Sequence, residues 1–112
     1  MENLLEQMGR RLFERRKQLR LTQEELAEKA AVTSQMISTA ELGKKALRPE
    51  NIIKLCAILE ISTDYLLNGT VTDVDMSILS DKISTLTPKQ YRRFEEIAES
   101  FILALSESGD AE

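Results

Sequence analysis

The sequence predicts an all-α protein: a five-helix N-terminal unit with a C-terminal helical extension. Three observations predict it. Apolar residues recur at three- and four-residue spacing along most of the chain, and the alternation of a half-buried strand is nearly absent. Helix start signals punctuate the chain: Thr22 with Glu25 forms an S/T-x-x-E box, Thr33 and Ser62 precede periodic runs, and Pro49 and Pro88 suit first helical positions. The 112 residues are 42% hydrophobic but only 4% aromatic, with no Trp, 2 Pro and 4 Gly, which suits a small core of Leu, Ile and Ala.

In chain order, residues 1–8 extend the first helix, with Asn3 as its cap. Leu4, Leu5, Met8 and Leu12 form its amphipathic stripe. The helix runs to about Leu19; Leu12 and Leu19 face the core, and Leu21 lies just beyond. Arg10, Arg11, Arg15, Lys17 and Arg20 read as solvated, with contact to phosphate the alternative for one or two of them. The second helix opens at Thr22 and buries Leu26, Ala27 and Ala30. Thr33 caps a third, short helix, because its hydroxyl can accept from the N–H of Gln35 or Met36. Ile37 and Ala40 point inward there, with Met36 flanking, and Gly43 takes the left-handed conformation that ends it. Its outward face is Ser34, Gln35, Ser38 and Thr39, all short and uncharged. A fourth helix starts at Pro49 with a stripe of Ile52, Leu55, Cys56 and Leu59. Cys56 acts there as a small core hydrophobe. Ser62 caps a fifth helix over 63–67, closed by Asn68-Gly69.

The rest of the chain divides into a linker over 70–75, a helical element over 76–106 and a fraying tail over 107–112. A short helix runs from Met76 to Leu86 through Leu79 and Ile83. Thr87-Pro88 opens a longer one that reaches about Leu105 or Ser106. Tyr91, Phe94, Ala98, Phe101 and Leu105 follow 3–4–3–4 spacing, and Ile97 and Ile102 widen the stripe. So much apolar surface needs a cover. A second copy of the chain is the preferred cover; a fold-back onto the first unit in a monomer is the alternative.

Charge is divided unevenly. Residues 1–69 hold 11 Lys+Arg against 10 Asp+Glu, whereas residues 70–112 hold 4 against 9. Acidity therefore sits in the tail, and any polyanion contact rests on local patches. With one Cys and no His, the sequence gives no disulfide framework or metal site, and no cofactor is expected. It carries no Gly-rich phosphate loop and no nucleophile–base pair, so it reads as non-enzymatic. The absence of a signal-peptide pattern or bilayer-length apolar run implies a cytoplasmic protein with no membrane role.

Gln23, Ala27, Val32, Ile37 and Ala40, set between Thr22 and Glu41-Leu42-Gly43-Lys44, resemble the helix-turn-helix of the phage lambda repressor and Cro type, the XRE family. Gly9-Arg10-Arg11-Leu12 through Arg16, Arg48-Pro49-Glu50-Asn51-Ile52 through Leu59, and Ile61 to Gly69 extend the resemblance over residues 9–69. It implies a lambda-repressor-like fold and a double-stranded DNA partner. The third helix then becomes the reading helix. Ser34, Gln35, Ser38 and Thr39 are the expected base contacts, Gln35 foremost, because Gln pairs bidentately with adenine. Lys44, Lys45, Arg48 and Asn51 are expected to meet phosphates, and the resemblance adds Gln23, at a helix start where N–H groups favour anions. It also implies a partly buried ion pair of Arg16 with Glu41. Two positions depart from the family: Ala31 stands where Gly is usual, and Leu42 where a polar or basic residue is common. The expected function is transcriptional regulation, preferably repression, by a homodimer on palindromic operator DNA. Its dimer interface is Tyr91, Phe94, Ile97, Ala98, Phe101, Ile102 and Leu105. The alternative is an interaction module whose last helix binds a regulatory protein partner.

Overall fold

The computed structural model describes residues 1–108. Among them are seven α-helices: α1 Leu4–Gln18, α2 Gln23–Ala30, α3 Ser34–Glu41, α4 Pro49–Leu59, α5 Thr63–Asn68, α6 Asp73–Ser84 and α7 Pro88–Ser108. No strand occurs among the described residues. The chain forms two compact units, divided within α6 after Ile78.

Local chemistry sets the helix starts. Asn3 with Glu6, and Thr22 with Glu25, form reciprocal capping boxes at α1 and α2. The Thr33 side chain accepts from Met36 N–H at α3, and the Ser62 side chain from Tyr65 N–H at α5. Pro49 occupies the start of α4, where its missing N–H leaves nothing unpaired. Thr87 and Gln90 exchange bonds of 3.0 and 3.2 Å at the start of α7.

The core of the first unit joins α1 to α5. Leu12, Leu26, Ile37, Leu55, Leu59 and Leu66 are each less than 2% exposed, and Ala27, Ala30, Ala40 and Cys56 fill the gaps between them. Each large side chain contributes about 1.5–3 kcal/mol by leaving water. Burial pushes the Cys56 thiol up to about 11, with the charge of Asp75 adding to it. The thiol is thus held protonated and unreactive.

Three arginines of α1 each hold the C-terminal end of another helix. Arg11 Nη1 donates to Leu66 O at 3.0 Å in α5, and Arg15 Nε donates to Leu59 O at 2.8 Å in α4. Arg16 pairs with Glu41 in α3. Last-turn carbonyls lack intrahelical donors and form the negative end of the helix dipole, so a guanidinium suits them. This corrects the solvated reading of Arg11 and Arg15. Their acceptors lie 55 and 44 residues away, beyond any local pattern.

A second correction concerns the linker over 70–75. Helix α6 already begins at Asp73. The Asp75 carboxylate accepts from the N–H of Thr72 at 2.8 Å and of Ser62 at 2.8 Å, and from both hydroxyls. Thr72-x-x-Asp75 is half of a capping box, and the same carboxylate ties the start of α6 to the N-cap of α5. Partial burial would raise the Asp75 pKa, but these four bonds outweigh it and hold the group at about 2. The α6 C-terminus falls at Ser84, not Leu86.

In the second unit, Ile83 and Leu86 are half-buried, as are Phe94, Ala98 and Leu105. Ile97, Phe101, Ile102 and Leu103 of α7 are each more than 60% exposed. Arg92 pairs with Glu95 and Arg93 with Glu96 along the polar flank. Glu107 and Ser108, read as part of the tail, belong to α7; residues 109–112 lie outside the described residues.

Candidate nucleic-acid interface

Helix α3 is short, so its position depends on its neighbours. On one side, Ala31 ends α2 in the left-handed conformation at φ 55°, and Val32 N–H reaches Ala27 O at 2.9 Å. This geometry costs a non-glycine residue on the order of 1 kcal/mol. It turns the chain tightly enough for Thr33 to cap α3 at once. On the other side, α1 forms the seat. A Cβ on Gly9 would sit against the carbonyls of Ala40 and Glu41, 2.8 Å from Glu41 C. Only glycine lets α1 approach the end of α3 so closely. Gly43, at φ 70°, ends α3 and packs 2.7 Å from Glu6 Cα by the same measure.

The polar anchor is a buried network around Glu41. Arg16 Nε lies 2.6 Å from Oε2 and Nη2 lies 3.0 Å from Oε1, a bidentate pair; Arg16 Nη1 donates to Leu21 O at 2.8 Å. The two side chains are 8% and 5% exposed. Hydrogen bonding to Glu41 raises the Arg16 pKa above its already high ordinary value. The Phe13 ring lies 5.3 Å from the guanidinium carbon, a cation–π distance. Gln23 Nε2 completes the network with a 3.0 Å bond to Glu41 Oε1. That bond engages one amide hydrogen of Gln23, an expected phosphate contact, with the end of α3. The N–H groups of Gln23 and Glu24, at the first two helical positions, have no intrahelical acceptors and still favour an anion at the start of α2.

Held by this inward side, α3 presents Ser34 and Gln35 exposed, and Ser38 and Thr39 half-exposed. Gln35 and Thr39 share a groove with Thr33, Met36, Lys45, Ala46, Leu47, Arg48 and Asn51. Two expected base readers and three expected phosphate contacts therefore meet along one depression. Ser34, Ser38 and Lys44 are not among its lining residues; Lys44 is exposed in the adjoining loop, its N–H bonded to Thr39 O at 3.0 Å. The Thr39 hydroxyl donates to the Gln35 and Met36 carbonyls at 3.0 and 3.1 Å, which leaves its lone pair and methyl for a ligand. Thr33, Met36, Ala46 and Leu47 are groove residues that the sequence reading did not assign to the site. Asn51 Nδ2 lies 3.6 Å from Met36 Sδ, which ties the first turn of α4 to α3.

A tightly seated short helix, uncharged hydrogen-bonding groups on its outer face and cations alongside define a helix-turn-helix DNA-binding protein. The family described as "Helix-turn-helix" matches residues 12–66. The chain is similar to the HTH-type transcriptional regulator YqaE of Bacillus subtilis (strain 168), with 30% identity over 97 residues, covering 82% of this chain and 84% of the relative. It is also similar to a solved chain titled "SinR protein/SinI protein complex", with a TM-score of 0.55 and 25% identity, covering 82% of this chain and 94% of the other. The chain belongs to the lambda-repressor-like, XRE family of helix-turn-helix proteins, and it is a DNA-binding transcriptional regulator. No helix among the described residues is long and apolar enough to cross a membrane.

Proposed function

We propose that the protein is a repressor that binds palindromic operator DNA as a homodimer. The observation that carries this reading is the shared groove of Gln35, Thr39, Lys45, Arg48 and Asn51. In it, base-reading amide and hydroxyl groups lie beside cations suited to phosphate. Gln35 pairs with adenine in the major groove; Ser34, Ser38 and Thr39 contact neighbouring base edges. Lys44, Lys45, Arg48 and Asn51 fix the register on the sugar–phosphate backbone. The first two N–H groups of α2 take a further phosphate. Helix α7 joins the two copies through Tyr91, Phe94, Ile97, Ala98, Phe101, Ile102 and Leu105. The exposure of Ile97, Phe101 and Ile102 supports that role, since a soluble helix bearing this stripe needs a cover. A two-fold protein matches two half-sites.

A second reading has its own support. The solved chain with a similar fold carries a title that pairs it with another protein, SinI. A regulatory protein partner on the α7 stripe would compete with the second copy for the same residues. Two experiments test the proposal. Sedimentation equilibrium of the purified chain should give a dimer, and replacing Phe101 and Ile102 by Ser should give a folded monomer. In vitro transcription from a promoter carrying a selected binding sequence should fall as protein is added. A rise would make the protein an activator, and a monomeric wild-type chain would favour the partner reading.

A further inference from the structure

Helix α7 separates its charges. Lys89, Arg92 and Arg93 stand near its start, with no acid among residues 88–94; Glu95, Glu96, Glu99 and Glu107 follow, with no base among residues 95–108. This order opposes the helix dipole, which favours acids at the start and bases at the end. The stability of the helix by itself therefore does not account for it. Arg92 pairs with Glu95 at 2.7 Å and Arg93 with Glu96 at 3.7 Å, where the two halves meet. Lys89, Glu99 and Glu107 are exposed away from that boundary. The apolar stripe crosses both halves: Tyr91, 41% exposed, lies among the bases, and Phe101 and Ile102, 64% and 63% exposed, lie among the acids.

We propose that two copies of α7 pair antiparallel, so that the basic start of each helix lies along the acidic half of the other. The proposal rests on the homodimer reading and adds the direction of the pair. Turning one copy end for end sets the cations of each helix against acids of its mate and opposes the two helix dipoles. A parallel pair would set cations against cations and acids against acids, with the dipoles aligned, and like charges in contact repel. One stripe serves both copies, since a two-fold interface uses the same patch twice. A foreign helix would need a matching charge order of its own; a second copy already carries it. Ala98, small and at the middle of the stripe from Tyr91 to Leu105, is where the two backbones can come closest.

The test is a pair of distances between nitroxide labels, placed on Ser100→Cys or Ser106→Cys in the full chain. The wild-type chain, whose Cys56 is buried, is the control for stray labelling. For an antiparallel pair centred on Ala98, a rise of about 1.5 Å per residue and a helix separation of about 8–10 Å put labels at 106 about 25 Å apart and labels at 100 about 10 Å apart. A parallel pair puts both about 10 Å apart, and that result would overturn the proposal. Long distances at both positions would take the interface off α7 and overturn it too. Charge reversal gives an independent readout. Lys89→Glu, Arg92→Glu and Arg93→Glu together should weaken dimerisation at low salt about tenfold or more, read by sedimentation equilibrium, and adding Glu95→Lys, Glu96→Lys and Glu99→Lys should restore it. In a parallel pair the triple change only swaps one like-charged contact for another, so unchanged dimerisation would contradict the antiparallel order. Circular dichroism confirms that each variant is folded. A monomeric wild-type chain would sink the homodimer reading and the antiparallel pair with it. A dimer with short distances at 106 would leave the homodimer standing and overturn the direction alone.

Discussion

Replacing Glu41 by Ala should destabilise the first unit more than almost any other single change. The Glu41 carboxylate accepts from Arg16 Nε at 2.6 Å, Arg16 Nη2 at 3.0 Å and Gln23 Nε2 at 3.0 Å. Removing it leaves a guanidinium only 8% exposed, with Leu21 O as its remaining oxygen partner. Breaking one side of a buried pair costs about 3–5 kcal/mol, because the remaining charge is neither solvated nor paired. The lower end applies here, since Phe13, against one side of the guanidinium, is 44% exposed and the site is not far from water. About 3 kcal/mol is a large share of the ~5–15 kcal/mol that holds a domain together. It corresponds to a fall in melting temperature of at least ~12 °C for a unit of this size. Urea titration followed by circular dichroism measures it. The double change Arg16→Met with Glu41→Leu should recover most of the loss, since an apolar pair of similar volume removes the buried charge. A Glu41→Ala cost under about 1 kcal/mol would refute the reasoning, because only exposed, screened pairs are worth so little.

Gly9→Ala should cost about 1–3 kcal/mol by overpacking, because the new methyl meets the backbone carbonyls of α3; an unchanged urea midpoint would contradict the close seat. Asp75 has a folded pKa of about 2, below its ordinary 3.8, so it contributes stability above pH 4 that is lost as pH falls towards 2. With allowance for solvent screening the amount is about 1 kcal/mol, and Asp75→Asn should flatten the stability profile in that window. Gln35→Ala should lose roughly 1–3 kcal/mol of binding at one base position and relax specificity there, as read by competition with single-base variants; equal weakening on every sequence would exclude base reading. Arg48→Ala should weaken binding to all sequences alike and lower the slope of log affinity against log salt by about 0.9.

Most of the first unit is legible in the sequence, because its signals are local. Thr22 and Glu25, Thr33, Pro49 and Ser62 each mark a helix start within three residues, and Ile37 with Ala40 shows which side of α3 is buried. The outward face of α3 then follows from the helical period alone. Relations across the chain are less legible. The hold of Arg11 on the end of α5 and of Arg15 on the end of α4 depends on where α1 passes, which no spacing encodes. The turn of Gln23 toward Glu41 is of the same kind. Met36 reads as a flanking apolar residue, yet it lines the groove, because the fold brings Asn51 to its sulfur from 15 residues away. The start of α6 was within reach: Thr72-x-x-Asp75 is a capping signal, hidden among the β-branched and acidic residues of an apparent linker.

The central claim is that α3 reads base edges, once from each of two copies. Selection of bound sequences from random duplex DNA at fixed moderate salt tests it most directly. The predicted result is a two-fold symmetric motif with half-sites about ten base pairs apart. A lone half-site would contradict the paired reader, and no enrichment at all would contradict base reading by α3.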